Sequence, residues 1–277
     1  GMENKDYVIP KKIWTYWDKK EIPEFVKNCI NTWKKHNPDY KVIVLNNSNL
    51  NTYLPELDIN NLKHVEGPAH FSDVIRLHII AKYGGIWSDA SIMCFQSYDP
   101  ILERMKKRNF EFFAYHIDGS PNHINGSSDN MKTDFPVIEN WFFVAPPNAP
   151  IINDWKDKLM ECQQYNTKED YLNEMKKNTN LDKIQDNMKT YLWMHCAMQG
   201  ILQKNKGKYN IEVEKSQDGP FKYLENNNWD IGKALDEVIS CNKKGNDCEI
   251  LNTPFIKFRG CDRGVIEDKG CASDFFN

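Results

Sequence analysis

Apolar positions along the chain change their period several times, and each change marks an element. Val8 to Trp17 mixes β-branched, aromatic and aliphatic residues and reads as a strand. Phe25, Val26, Cys29, Ile30 and Trp33 then recur at helical spacing, which predicts a helix ending at Asn37-Pro38. Lys41 to Leu45 is a short strand, closed by the turn cluster Asn46-Asn47-Ser48-Asn49. A β-α-β opening of this kind predicts a parallel sheet with crossover helices.

The next stretch carries the strongest pattern. Phe71, Val74, Ile75, His78 and Ile79 fall on one helical face, with a cap expected at Ser72 or just before it and a left-handed stop at Gly84-Gly85. Ile86 to Phe95 follows as a strand. Further strands are predicted at Phe110–His116, Glu139–Ala145 and Thr253–Phe258. Between the first two lies a long polar loop from Asp118 to Thr133, of a length that usually serves function. Helices are expected over Pro150–Lys177, Asp186–Lys204 and Trp229–Ile239. The whole predicts one α/β domain over residues 2–277: a mixed, mostly parallel sheet flanked by helices, with extra helices in the C-terminal half.

Composition narrows the function classes. Lys and Arg number 36 against 39 Asp and Glu, a net charge of -3, so the basic surplus of a duplex nucleic-acid binder is missing. No apolar run reaches the roughly 20 residues of a membrane span, and the polar start has no signal-like stretch, so a cytoplasmic protein is expected. No G-x-x-x-x-G-K-[ST] loop is present for a nucleoside triphosphate. Cys29, Cys94, Cys162 and Cys196 sit in apolar contexts and read as buried thiols. Cys241, Cys248, Cys261 and Cys271 crowd the last quarter; two disulfides there would suit an oxidising compartment, but without an export signal free thiols are expected.

Several residues carry candidate chemistry. In an unbroken strand Asp89 and Ser91 share a face, and a carboxylate at the end of an apolar strand calls for a partner such as a divalent cation or a ribose hydroxyl. Asp73 and Arg76 lie on one helical face, where a surface ion pair is the plain alternative. Trp14 and Trp17 flank the end of the first strand, where open α/β sheets bind ligands, and either offers a stacking face. His195, on an apolar helix, reads as a core histidine; His70, Asn140 and Trp141 are weaker candidates for lining an acceptor site.

The runs Ile9-Pro10-Lys11-Lys12-Ile13-Trp14-Thr15-Tyr16-Trp17 and Trp33-Lys34-Lys35-His36-Asn37-Pro38-Asp39-Tyr40 resemble the opening of the capsular polysaccharide synthesis glycosyltransferases. Ala69-His70-Phe71-Ser72-Asp73-Val74-Ile75-Arg76-Leu77, followed by Tyr83-Gly84-Gly85-Ile86-Trp87-Ser88-Asp89-Ala90, is similar to their central signature, shared with the wider group of Asp-x-Asp sugar transferases. The resemblance covers about the first hundred residues. It implies a GT-A-like, Rossmann-related fold, with residues 2–100 as the nucleotide-sugar half and 101–277 as the acceptor-side, helical half. It implies Trp17 on the donor's base, Asp73 and Arg76 on the transferred sugar, Asp89 at the ribose and the metal, and Gly85 within the donor site. Trp14 and a late basic residue, Lys257, join the donor set. Asp73 and Asp89 become the catalytic pair, and Mn2+ or Mg2+ the cofactor. The motif's second Asp falls on Ser91, a weaker metal ligand.

The implied activity is transfer of a sugar from a nucleotide-sugar donor to a saccharide or glycolipid acceptor in surface or capsular polysaccharide synthesis, at the inner face of a membrane with peripheral association. Ser91 keeps open a catalytically weak or inactive sugar-nucleotide-binding protein. A glycoside hydrolase is disfavoured because no second acid pairs with Asp89 across a cleft. Loss of either Asp73 or Asp89 to Ala is expected to abolish transfer with little change in melting temperature.

Overall fold

The computed structural model of the chain describes residues 8–117, 135–244 and 248–268. The polar loop expected at Asp118–Thr133 lies outside them. The chain opens with β1 (Lys12–Tyr16), α1 (Glu24–His36) and β2 (Lys41–Leu45). In α1, Phe25, Val26, Cys29, Ile30 and Trp33 are buried, and Glu24 at the start and Lys34 and Lys35 at the end suit the helix dipole. A short α2 (Leu50–Tyr53) leads to α3 (Gly67–Tyr83), then β3 (Gly85–Ser88), β4 (Ile92–Cys94) and α4 (Asp99–Arg108). The second half runs β5 (Phe112–His116), β6 (Ile138–Ala145), α5 (Pro150–Met160), α6 (Lys168–Lys176) and α7 (Trp193–Lys204). It ends with β7 (Ile211–Lys215), α8 (Lys222–Glu225), α9 (Ile231–Lys244), β8 (Phe255–Lys257) and α10 (Arg263–Asp268).

Six strands form one sheet in the order β2-β1-β3-β6-β5-β7. β1 pairs in parallel with β2 and β3, β5 pairs in parallel with β7, and β6 runs antiparallel between β3 and β5. Within this sheet all strands but β6 therefore share a direction, as a mostly parallel α/β sheet requires. Phe112, Phe113, Phe142, Phe143 and Trp155 fill the core under β5 and β6. Among the described residues no helix is long and apolar enough to cross a membrane.

The structure corrects the sequence reading at several points. α3 begins at Gly67, with Glu66 at its cap position and Pro68 in its first turn, so Ser72 lies inside the helix. The Ile86–Phe95 strand is two strands in two sheets. Asp89 N–H still donates to Trp141 O (2.8 Å), but Phe258 N–H already donates to Ser91 O (2.9 Å). β4 then pairs with β8. The backbone thus changes partners at Asp89–Ser91, and the alternation of a single strand does not hold there. The long helix from Pro150 breaks between α5 and α6, and the Asp186 helix starts only at Trp193. β8, near the end of the chain, pairs with β4.

The free-thiol expectation fails at one pair. Cys241, near the end of α9, and Cys248 lie at a Cα separation of 5.6 Å, and they form a disulfide. Cys29, Cys94, Cys162 and Cys196 are buried free thiols, as expected, and Cys261 is free and exposed. Cys271 lies outside the described residues. Because the bridge closes so short a loop, Cys241→Ser should cost only about 2–3 kcal/mol. Urea melts of the variant against the oxidised parent measure this, and an equal midpoint would mean that the bridge constrains nothing.

Candidate active site

The carboxyl ends of β1 and β3 open onto a cavity of about 500 Å³. Its floor is set by α3. That helix is buried almost throughout its second and third turns, which places Asp73 and Arg76 where solvent barely reaches. Arg76 organises the floor. Its Nη1 lies 3.0 Å from Asp89 Oδ1 and donates to Asn140 O (2.6 Å). Its Nη2 donates to Ser72 Oγ (2.9 Å) and lies 3.5 Å from Asp73 Oδ1, and its Nε donates to Ser72 O (3.2 Å). The guanidinium sits over the Trp87 ring, 5.0 Å from its centroid. Three N–H groups of the fork thus hydrogen-bond inside the protein, and the remaining contacts are charge pairs with the two carboxylates. Arg76 holds the two carboxylates in place from the cavity floor.

Asp73 is further bound by Trp193 Nε1 (2.8 Å) and Asn140 Nδ2 (3.3 Å). Its burial raises its pKa above the usual carboxylate range, although Arg76 and the Trp193 hydrogen bond pull the other way. Asp89 takes a hydrogen bond from Trp87 Nε1 (3.1 Å), and its side chain keeps 30% exposure against 9% for Asp73. Asp89 is therefore the carboxylate that a ligand meets.

Another wall is basic. Lys257, Arg259 and Arg263 line it together with Trp17, whose ring lies 5.1 Å from the Arg263 guanidinium carbon. Lys257 is buried and its pKa is lowered by that burial, against the pull of Asp89 and Glu139. At the rim, Tyr191 is 57% exposed beside His70, with ring centroids 5.9 Å apart. Lys168 Nζ lies 2.5 Å from His70 Nδ1, and burial, then the Lys168 charge, lower the His70 pKa.

The structure brings Trp17, Asp73, Arg76, Asp89, Ser91, Lys257, His70 and Asn140 to this one cavity. Three expected residues are elsewhere. Trp14 is buried in the core, donates to Gly84 O (3.1 Å) and packs against Tyr53 and Tyr83. Gly85 serves the backbone: its φ is +110°, and a Cβ there would lie 2.8 Å from Lys12 O. Trp141 stacks on Tyr115 and donates to Glu139 Oε2 (2.5 Å), away from the cavity. His195, read as a core residue, lines the cavity; its Nε2 faces Glu139 Oε1 (3.2 Å), while its buried Nδ1 has no hydrogen-bond partner among the described residues.

The model of the family described as capsular polysaccharide synthesis protein matches residues 2–230. The chain belongs to that family. It is also similar to the O-glycosyltransferase braB of Annulohypoxylon truncatum, 29% identical over 161 residues, 52% of this chain and 36% of that protein. Similarity to the glycosyltransferase afumC of Aspergillus fumigatus is 26% identity over 161 residues, 53% of this chain and 39% of that protein. The chain thus spans little more than a third of the length of these relatives. Among solved structures it is similar to the glycosyltransferase GlyE in Streptococcus pneumoniae TIGR4, with a TM-score of 0.44 and 9% identity over 92% of this chain and 56% of that one.

Sequence reasoning missed Trp193, Tyr191, Arg259 and Arg263. Arg259 and Arg263 follow Lys257 closely, and that clustering of cations after a short apolar strand was the available signal. Trp193 gave none, because its contact with Asp73 joins residues 120 positions apart.

Proposed function

We propose that this protein transfers a sugar from a nucleotide-sugar donor to a saccharide or glycolipid acceptor, in surface or capsular polysaccharide synthesis. One observation carries the reading: the row of buried Asp73 and Arg76 with the part-exposed Asp89 shares a cavity with the Lys257, Arg259 and Arg263 wall. Carboxylates suit sugar hydroxyls, and cations suit a diphosphate. Trp17 offers a stacking face for the base, and the exposed Tyr191 beside His70 a platform for an acceptor sugar. When the sugar–oxygen bond breaks, charge gathers on the leaving diphosphate and positive character on the sugar carbon; the basic wall answers the first and the two carboxylates the second. Arg76 acts through the carboxylates it positions.

Mn2+ or Mg2+ is the cofactor that the family resemblance implies. The donor set present does not fit it: Asp89 supplies one carboxylate already held by Arg76 and Trp87, and Ser91 replaces the second. Ser91 also supports a second reading, a protein that binds the donor without turning it over.

A thermal-shift screen against UDP-, GDP-, CMP- and dTDP-sugars tests the proposal. One nucleotide family should raise the melting temperature through binding to the folded state alone. Donor consumption then separates turnover from mere binding. No shift with any donor would defeat both readings.

A further inference from the structure

Ser91 stands at the second position of the Asp-x-Asp pattern, and the side chain that meets it arrives from the far end of the chain. Lys257 Nζ donates to Ser91 Oγ at 3.0 Å and to the carbonyl of Phe258. Ser91 Oγ donates to that same carbonyl at 3.1 Å. The hydroxyl therefore donates one hydrogen bond to a carbonyl and accepts another from an ammonium, which leaves it poorly placed to ligate a metal. Asp89, two residues earlier, has Oδ1 committed to Arg76 (3.0 Å) and Trp87 (3.1 Å). Among the described residues no three His, Cys, Asp or Glu side chains gather so as to hold a metal ion.

Charge counting points the same way. Two carboxylates and a dication sum to zero. Asp89 and the Lys257 ammonium also sum to zero, with a hydroxyl in place of the second carboxylate. A dication added between Asp89 and the buried ammonium would leave that pair with a positive excess before any donor binds.

Lys257 is also built in. It ends β8, opposite Ile92 of β4. Its N–H donates to Pro220 O (3.1 Å) and its C=O accepts from Tyr223 Oη (2.7 Å). Of the three N–H groups of its ammonium, two are placed on Ser91 and Phe258, which leaves one for a ligand in the cavity that Lys257 lines.

We propose that the Lys257 ammonium, seated on Ser91, takes the place of the divalent cation, so that this protein binds its donor diphosphate and transfers the sugar without a metal. The inference rests on the nucleotide-sugar reading of the cavity. In the transfer, the bond between the sugar's anomeric carbon and the diphosphate oxygen breaks, and its electron pair stays on that oxygen. The acceptor oxygen bonds to the anomeric carbon, and its proton leaves with the nucleoside diphosphate. The Lys257 N–H stabilises the charge as it develops, at a position fixed before the reaction begins.

The test has an arm that needs no donor. Titrated with Mn2+, the parent protein should leave the free-ion electron paramagnetic resonance signal undiminished. The double variant Ser91→Asp/Lys257→Met, which restores two carboxylates and removes the ammonium, should quench it. In the donor arm, the melting-temperature shift and donor consumption of the parent should be the same in excess EDTA as in Mn2+. Lys257→Met should weaken donor affinity at least tenfold, and the double variant should regain binding only with Mn2+. Tight Mn2+ binding by the parent overturns the proposal, as does donor binding that needs Mn2+ or survives Lys257→Met at parental affinity. If no donor binds in either condition, the nucleotide-sugar reading falls, while the Mn2+ titration still judges the lysine.

Discussion

Asp73→Asn is expected to lower donor turnover at least ~100-fold while moving the melting temperature by only a few degrees. The two halves of that expectation have one cause. Burial raises the Asp73 pKa, and the Arg76 charge and the Trp193 hydrogen bond do not offset it. The ionised carboxylate is thus less favourable in the folded chain than in the unfolded one. A charge held at a cost to stability marks a functional site, since a purely structural position would gain from losing it.

The sign has a pH signature. With the folded pKa above the unfolded value, the folded state binds the proton more tightly. Stability from this group therefore falls as pH rises from the ordinary carboxylate range through the raised folded pKa. Asn at the same position has no such fall. The melting temperature of Asp73→Asn, measured relative to the parent, should rise with pH across that window. A difference that stays flat or declines with pH would mean that Asp73 is a stabilising ion-pair partner of Arg76 and nothing more. Ala at this position is a different experiment. It leaves a hole against Trp193 and Asn140, so the melting temperature should drop, contrary to what the sequence alone led us to expect.

Much of the frame was legible. The periods of α1, α3, β1 and β2 are local properties of short segments, and the sequence displays them directly. Asp73, Arg76 and Asp89 were legible through a contiguous signature, because α3 and β3 are joined by only a Gly turn. Legibility failed wherever long-range partners decide. The strand through Asp89 looked continuous because each half is apolar; it divides because β6 claims one end and β8, over 160 residues away in the chain, claims the other. Trp14 looked like a ligand platform for the opposite reason. It stands in the middle of β1 and not at its end, where Tyr53 and Tyr83 enclose it, and neither is visible from its own segment. The disulfide was misread because redox compartment was allowed to outweigh geometry that only the end of α9 supplies.

Gly84→Ala is expected to be the most damaging single change outside the cavity, with a loss of about 3–5 kcal/mol and a fall in melting temperature on the order of 10 °C. Gly84 stops α3 by donating its N–H to Ile80 O (2.9 Å), and its carbonyl accepts from Trp14 Nε1 (3.1 Å). Its φ of +68° with ψ of -179° is a conformation nearly confined to glycine. A Cβ there would also lie 2.5 Å from Pro147 N and 2.9 Å from Pro146 C, which are backbone atoms that cannot swing aside. Two other glycines separate these contributions. Gly67 has φ +80° but nothing within 4 Å of a Cβ, so Gly67→Ala carries strain alone. Gly264 lies in α10 with open space around it, so Gly264→Ala should be neutral or slightly stabilising. Chemical denaturation of the three variants should rank them in that order of cost, Gly84 far above Gly67 and Gly67 above Gly264. The consequence for the site follows from the chain path. Arg76 precedes this turn and Asp89 follows it, so their 3.0 Å contact depends on the angle at which α3 hands over to β3. A Gly84→Ala protein that still folds should therefore bind donor more weakly. If it costs no more than Gly67→Ala, the Pro146-Pro147 segment gives way, and the turn does not fix the geometry of Arg76 and Asp89.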